Sequence, residues 1–159
     1  MADFNQAFSR IFESGDQREG SESIITLPYQ GSAEQKTNLC WDNMRKLGFS
    51  NTEMLGYIKS YLCEEVWFTV AGDRIYYQPL AESIFSFALV NGSDHCIYLL
   101  NSVLNLEGGQ ELLAASIGEI NRIDGDSMLL KFSMAKIIYY ELSSQYKTVQ
   151  GISRKGHSN

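Results

Sequence analysis

Histidine is nearly absent from this chain and cysteine is sparse: two histidines and three cysteines occur in 159 residues. Cys40, Cys63 and Cys96 are far apart, odd in number and form no CxxC pair. They make no disulfide framework, and buried reduced thiols are the expected state. No histidine–cysteine spacing of a zinc site is present, so neither a metal nor another cofactor is expected. His157 falls in a polar tail, and His95 sits between Asp94 and Cys96. Successive helical residues point about 100° apart. Neither a Ser93-Asp94-His95 triad nor a Cys96–His95 nucleophile pair could therefore assemble from neighbours.

Other chemical motifs are equally scarce. Gly108-Gly109 has no GxxxxGK or GxGxxG around it and is no phosphate loop. Asp124-Gly125-Asp126 opens like a calcium loop, but Leu129 and Ala135 occupy the positions where such a loop needs Gly and Glu. Glu64-Glu65 has no partner acid in a motif and reads as solvated charge. These gaps argue against an enzyme. No apolar run approaches the roughly 20 residues that span a bilayer. The start, MADFNQAFSRIFES, carries an early Asp3 and lacks the basic-then-apolar layout of a signal peptide. A cytoplasmic protein with no membrane partner is expected.

Acidic residues are missing from the C-terminal end. None follows Glu141, whereas Lys147, Arg154 and Lys155 lie beyond it. The net charge is −6; setting those three cations aside leaves 10 basic against 19 acidic side chains, or −9, over residues 1–146. Such a body repels phosphate backbones and attracts basic protein segments, so the expected partner is a protein and not a nucleic acid.

What is present is ordinary for a globular chain, with 44% hydrophobic and 20% charged residues, enough for one real core. Phe4, Phe8, Ile11 and Phe12 fall at helical spacing over residues 2–14. Residues 14–23 read as a loop, and Ile24–Leu27, stopped by Pro28, as an edge strand or extended arm. Ser32 suits the N-cap of a helix over 33–47, and a further helix starts at Asn51 or Thr52 with Met54, Leu55, Ile58, Tyr61 and Leu62 on one face.

From Glu65 the period changes to two. Val66, Phe68 and Val70 oppose Trp67 and Thr69, Ala71-Gly72-Asp73 reads as a turn, and Arg74, Tyr76 and Gln78 oppose Ile75 and Tyr77. SIFSFALV suits a third strand, with a helix over 80–91 as the competing reading. A strongly apolar helix follows Asn91-Gly92 and ends at Gly108-Gly109. Residues 112–123 fit either a helix or a strand. Asp124-Gly125 reads as a hairpin turn between strands at 116–122 and 128–134, ahead of a last helix at 135–147.

The resulting expectation is an α+β fold: an antiparallel sheet, made of a three-strand meander plus a hairpin, packed with helices. An N-terminal helix and arm would occupy 1–31, a single α+β domain 32–147, and a disordered basic tail 148–159.

The VWFTVAGDRIYYQP hairpin, the SIFSFALVNG strand, the LLNSVLNLEGG helix and the IDGDSMLLKFSM hairpin follow one another in this order. Over residues 52–147 the pattern resembles class I type III secretion chaperones, which are small acidic cytoplasmic proteins. The resemblance implies a homodimer through the 93–106 helix, with Ile97, Leu100 and Leu104 in core or interface. It also implies that a secreted effector's N-terminal segment docks on Met54, Tyr57, Tyr61, Trp67, Phe68, Tyr76 and Tyr77. A second expectation needs no resemblance. An immunity or antitoxin protein would use a carboxylate patch, for which Glu64, Glu65, Asp73 and Glu82 are nearest in sequence, to steer onto a basic toxin.

Overall fold

The computed structural model of the protein describes residues 1–12, 43–106 and 114–156, with side chains to residue 145. The described residues are helical and contain no strand. The expected α+β fold with its antiparallel sheet is therefore corrected to a helical one. The 14–23 loop, the apolar run at 24–28 and most of the 33–47 helix lie outside the described residues; residues 43–46 are helical.

Helix α1 (Phe4–Phe12) begins where Asp3 Oδ1 accepts from the Asn5 backbone N–H at 2.7 Å, satisfying a donor that the helix itself cannot. The Gln78 amide ties this end down by accepting from Asp3 N–H at 2.6 Å and donating to Asp3 O at 2.9 Å. Phe4 lies 5.7 Å from the rings of both Trp67 and Phe85, and Phe8 is buried. The first helix is thus part of the core and not an extension standing apart from it.

Helix α2 (Asn51–Leu62) starts on a Ser-x-x-Glu pattern, with Ser50 Oγ accepting from Glu53 N–H at 3.2 Å. Met54, Ile58 and Leu62 form its buried stripe. The helix then widens into one π turn, Cys63–Trp67, closed by the Phe68 N–H to Cys63 O bond of 3.1 Å. Ala71 adopts a left-handed conformation (φ 56°) and leads into a short 3₁₀ turn, Gly72–Arg74. The stretch expected to be a hairpin is therefore this sequence of turns. Among its buried residues, Val66, Trp67 and Val70 follow helical spacing.

Helix α3 (Gln78–Asn91) carries Pro79 in its first turn, where a missing N–H costs nothing. It buries Leu80, Ala81, Ile84, Phe85, Phe87, Ala88 and Leu89, which lie around most of its circumference. It is the central helix, and the competing reading of residues 80–91 is the one found. Helix α4 (Ser93–Val103) follows after Gly92, whose φ of 91° suits glycine.

Helix α5 (Ala114–Arg122) replaces the strand expected at 116–122, and α6 (Gly125–Gly156) replaces the hairpin and the strand at 128–134. Asp124 is an N-cap instead of a turn residue: its Oδ2 accepts from Ser127 N–H at 3.1 Å. Met128 and Phe132, four apart, are buried, whereas Leu130 and Met134 are exposed. A two-residue period places all four on one face; the helix separates them. α6 packs on α3 and α4 and continues to Gly156, into the stretch expected to be a disordered tail.

Two glycines give a direct test. A methyl group at Gly72 would lie 2.4 Å from the buried Trp67 ring, whereas one at Gly56, mid-way along α2, meets nothing within 4 Å. Gly72→Ala should lower unfolding stability by about 1–3 kcal/mol through overpacking. Gly56→Ala should raise it by up to about 1 kcal/mol through helix propensity. Urea unfolding followed by far-UV circular dichroism measures both.

Candidate functional site

The residues expected to meet a partner separate into distinct environments. Met54 and Trp67 are core residues, at 0% and 1% exposure. The Tyr77 hydroxyl donates to Asp126 Oδ1. Its ring lies against the backbone of Gly125, where a β-carbon would stand only 2.5 Å from it, so it fastens the start of α6. Tyr76 is exposed, and its backbone N–H donates to Asn121 Oδ1 at 3.0 Å. Ile97 and Leu100 are buried, and Leu104 is partly buried against the core. Of the acidic set, Glu82 is engaged by Arg10 at 3.4 Å and by Gln78 at 2.9 Å.

The remaining residues form a surface. Tyr57, Glu64 and Phe68 follow one another, seven and four residues apart, along the exposed side of α2 and its π turn, with Glu65 beside them. Tyr57 and Phe68 are each about half exposed, at 51% and 53%. Tyr61 is half-buried on the flank. Glu64 and Asp73 both act on the Cys63 thiol: burial first, then these two carboxylates, push its pKa up. Asp73 therefore stands near the same surface. The local backbone holds Phe68 outward, because the residue before it, Trp67, is locked inward by Phe4, Phe85 and Gly72. π turns and left-handed non-glycine residues are both costly and both concentrate at functional positions. Here they flank one exposed phenylalanine.

A second feature escaped the sequence reading. An open hollow of about 730 Å³ lies at the α3–α4 junction, lined by Asn91, Gly92, Asp94, His95 and Tyr98 among others. Asn91 Nδ2 donates to the Tyr140 hydroxyl at 2.9 Å, and the His95 ring meets Tyr139 edge-on at 6.1 Å. His95 is thus held against α6. Its only sequence signal was the Asn-Gly pair, which read as a turn. No cluster of three or more metal-ligating side chains occurs among the described residues, and no helix among them is long and apolar enough to cross a membrane.

No protein family model, curated protein or solved structure matches the chain.

Cys96 is fully buried, donates its thiol to Ile84 O at 3.5 Å, and has its pKa pushed well above the ordinary value of 9.0 by burial. The folded chain keeps this proton where the unfolded chain loses it. The thiol's contribution to stability is thus intact below about pH 9 and lost as pH rises above it, by at most about 1.4 kcal/mol per pH unit. Cys96→Ala should flatten the alkaline fall in unfolding free energy relative to the wild type, measured by urea titrations between about pH 8 and pH 10.

Proposed function

We propose that the protein works without catalysis of its own, in the cytoplasm, by binding another protein through the surface built on Tyr57, Glu64, Glu65 and Phe68. The observation that carries this reading is the exposed Phe68, held outward by a π turn and flanked by two carboxylates. An aromatic anchor beside acids that make no ion pair among the described residues fits a partner that presents an apolar pocket or side chain next to basic groups. The net charge of −6 supports the same sign of partner.

Two kinds of partner carry that chemistry. One is an extended segment of a secreted effector; the other is a folded basic toxin. The strands that carried the likeness to secretion chaperones fold as turns and helices, so the effector reading rests on this surface alone. The toxin reading draws on the same carboxylates.

Phe68→Ala should weaken capture of the partner about tenfold, the loss typical of an aromatic hot spot. The Glu64→Gln, Glu65→Gln double variant should slow association and reduce its salt dependence. The experiment compares partners retained by immobilised wild type and by the two variants, all confirmed helical by circular dichroism. Binding of a synthetic N-terminal peptide of the retained partner identifies the effector case. A requirement for the folded partner identifies the toxin case. Equal retention by wild type and both variants refutes the proposed surface.

A further inference from the structure

Helix α6 is apolar on two sides. Met128 and Phe132 face the core, with Tyr139 packed against it. On the opposite side, Leu130, Met134, Ile137, Ile138 and Leu142 are each more than half exposed. Five such side chains present on the order of 500 Å² of apolar surface, at the upper end of what a soluble monomer leaves open. None of the other described helices shows an apolar row of this length to solvent.

The order of residues along this face specifies an occupant. Ser127, Lys131, Met134, Ile138, Glu141 and Gln145 are all exposed and recur at spacings of four, three, four, three and four. That is the four-three spacing of a coiled-coil seam, here with an apolar centre of Met134 and Ile138 and polar residues on either side of it. The seam is also self-complementary about the level of residue 136. Met134 and Ile138 lie two residues either side of it, Lys131 and Glu141 five, and Ser127 and Gln145 nine. When two copies pair antiparallel, Met134 faces Ile138 of the second copy and Lys131 faces its Glu141, twice over by symmetry. Serine likewise meets glutamine. Leu130, Ile137 and Leu142 flank the seam and widen the apolar contact. In a parallel pair, lysine would meet lysine and glutamate would meet glutamate. No ion pair engages Lys131 or Glu141 among the described residues.

We propose that a second copy of this chain covers the exposed face of α6, forming an antiparallel, two-fold symmetric homodimer through Lys131, Met134, Ile138 and Glu141. A two-fold interface needs one patch that complements itself, and this seam does so in both shape class and charge. The interface lies on the side of α6 away from the core, so association requires no helix to leave its place. It differs from the α4 interface implied by the secretion-chaperone resemblance, whose residues Ile97 and Leu100 are buried within one chain.

Sedimentation equilibrium of the full chain tests this. The wild type should dimerise. Met134→Asp with Ile138→Asp should be monomeric while keeping its far-UV spectrum, since both positions are exposed. Lys131→Glu alone and Glu141→Lys alone should each raise the dimer dissociation constant about threefold to tenfold, because each places like charges together twice. An equimolar mixture of these two variants should recover wild-type affinity as a heterodimer, and so should the chain carrying both reversals. A wild type that stays monomeric at its solubility limit would overturn the proposal, as would a dimer that ignores the Asp substitutions. Charge reversals that weaken association without recovery on mixing would overturn the antiparallel arrangement. A monomer in which another segment of the chain or a different protein protects Met134 from oxidation would reassign the face to that occupant.

Discussion

The indole of Trp67 is the contact on which most of the fold depends. It touches Phe4 of α1 and Phe85 of α3, and it lies flat against the backbone of Gly72. Three separate parts of the chain therefore meet at one ring. Each constrains the others: α1 cannot dock unless the π turn has rotated Trp67 inward, and the π turn is closed by the Phe68 N–H to Cys63 bond. Gly72 is required because no side chain fits between its backbone and the ring. Aromatic rings at separations of 5.6–5.7 Å and steep angles contribute beyond their buried area. The Gln78–Asp3 hydrogen bonds then fix the direction in which α1 crosses the start of α3.

The sequence disclosed α1, α2 and the strongly apolar α4, left α5 ambiguous, and read as strand at α3 and at the start of α6. α1 and α2 were legible because Phe4–Phe8 and Met54–Ile58–Leu62 leave a polar face between them. α3 was not, because a helix surrounded by α1, α4, α6 and the turns before it has little polar face to mark its period. SIFSFALV then satisfies alternation and helical spacing together. The same confusion arose at 128–134, where α6 buries Met128 and Phe132 on one side and exposes Leu130 and Met134 on the other. Apolar residues on both sides of a helix mimic the alternation of a strand. Asp124-Gly125 reinforced that reading, since one local sequence serves either a hairpin turn or an N-cap followed by a first helical residue. Only long-range packing decides between them: here the Tyr77 ring fills the space above Gly125 and its hydroxyl donates to Asp126.

The candidate surface was partly legible for the same reason in reverse. Charged residues declare their exposure, so Glu64 and Glu65 could be placed outside from sequence. Aromatic residues do not. Trp67 and Phe68 are adjacent, equally apolar by inspection, and end on opposite sides of the chain, at 1% and 53% exposure. The π turn makes that division, and no propensity scale anticipates a single widened turn.

Lys136 shows how firmly the two sides of α6 are separated. Its ammonium lies 5.3 Å from the Phe132 ring and donates to Ser83 Oγ at 2.7 Å, and burial holds its pKa below the ordinary lysine value. A lysine is a poor choice for that position unless its stem covers apolar surface and its head finds a neutral acceptor. Both conditions are met only if α6 keeps its present rotation against α3. Turning the helix to bury Leu130 and Ile137 would strand Phe87 without Phe132 and Tyr139, which now meet it edge-on at 5.9 Å and 5.3 Å. The outer apolar row therefore cannot be absorbed by the protein's own core through a small rotation. Its exposure follows from the packing of the inner face, and any contact that covers it comes from outside that core.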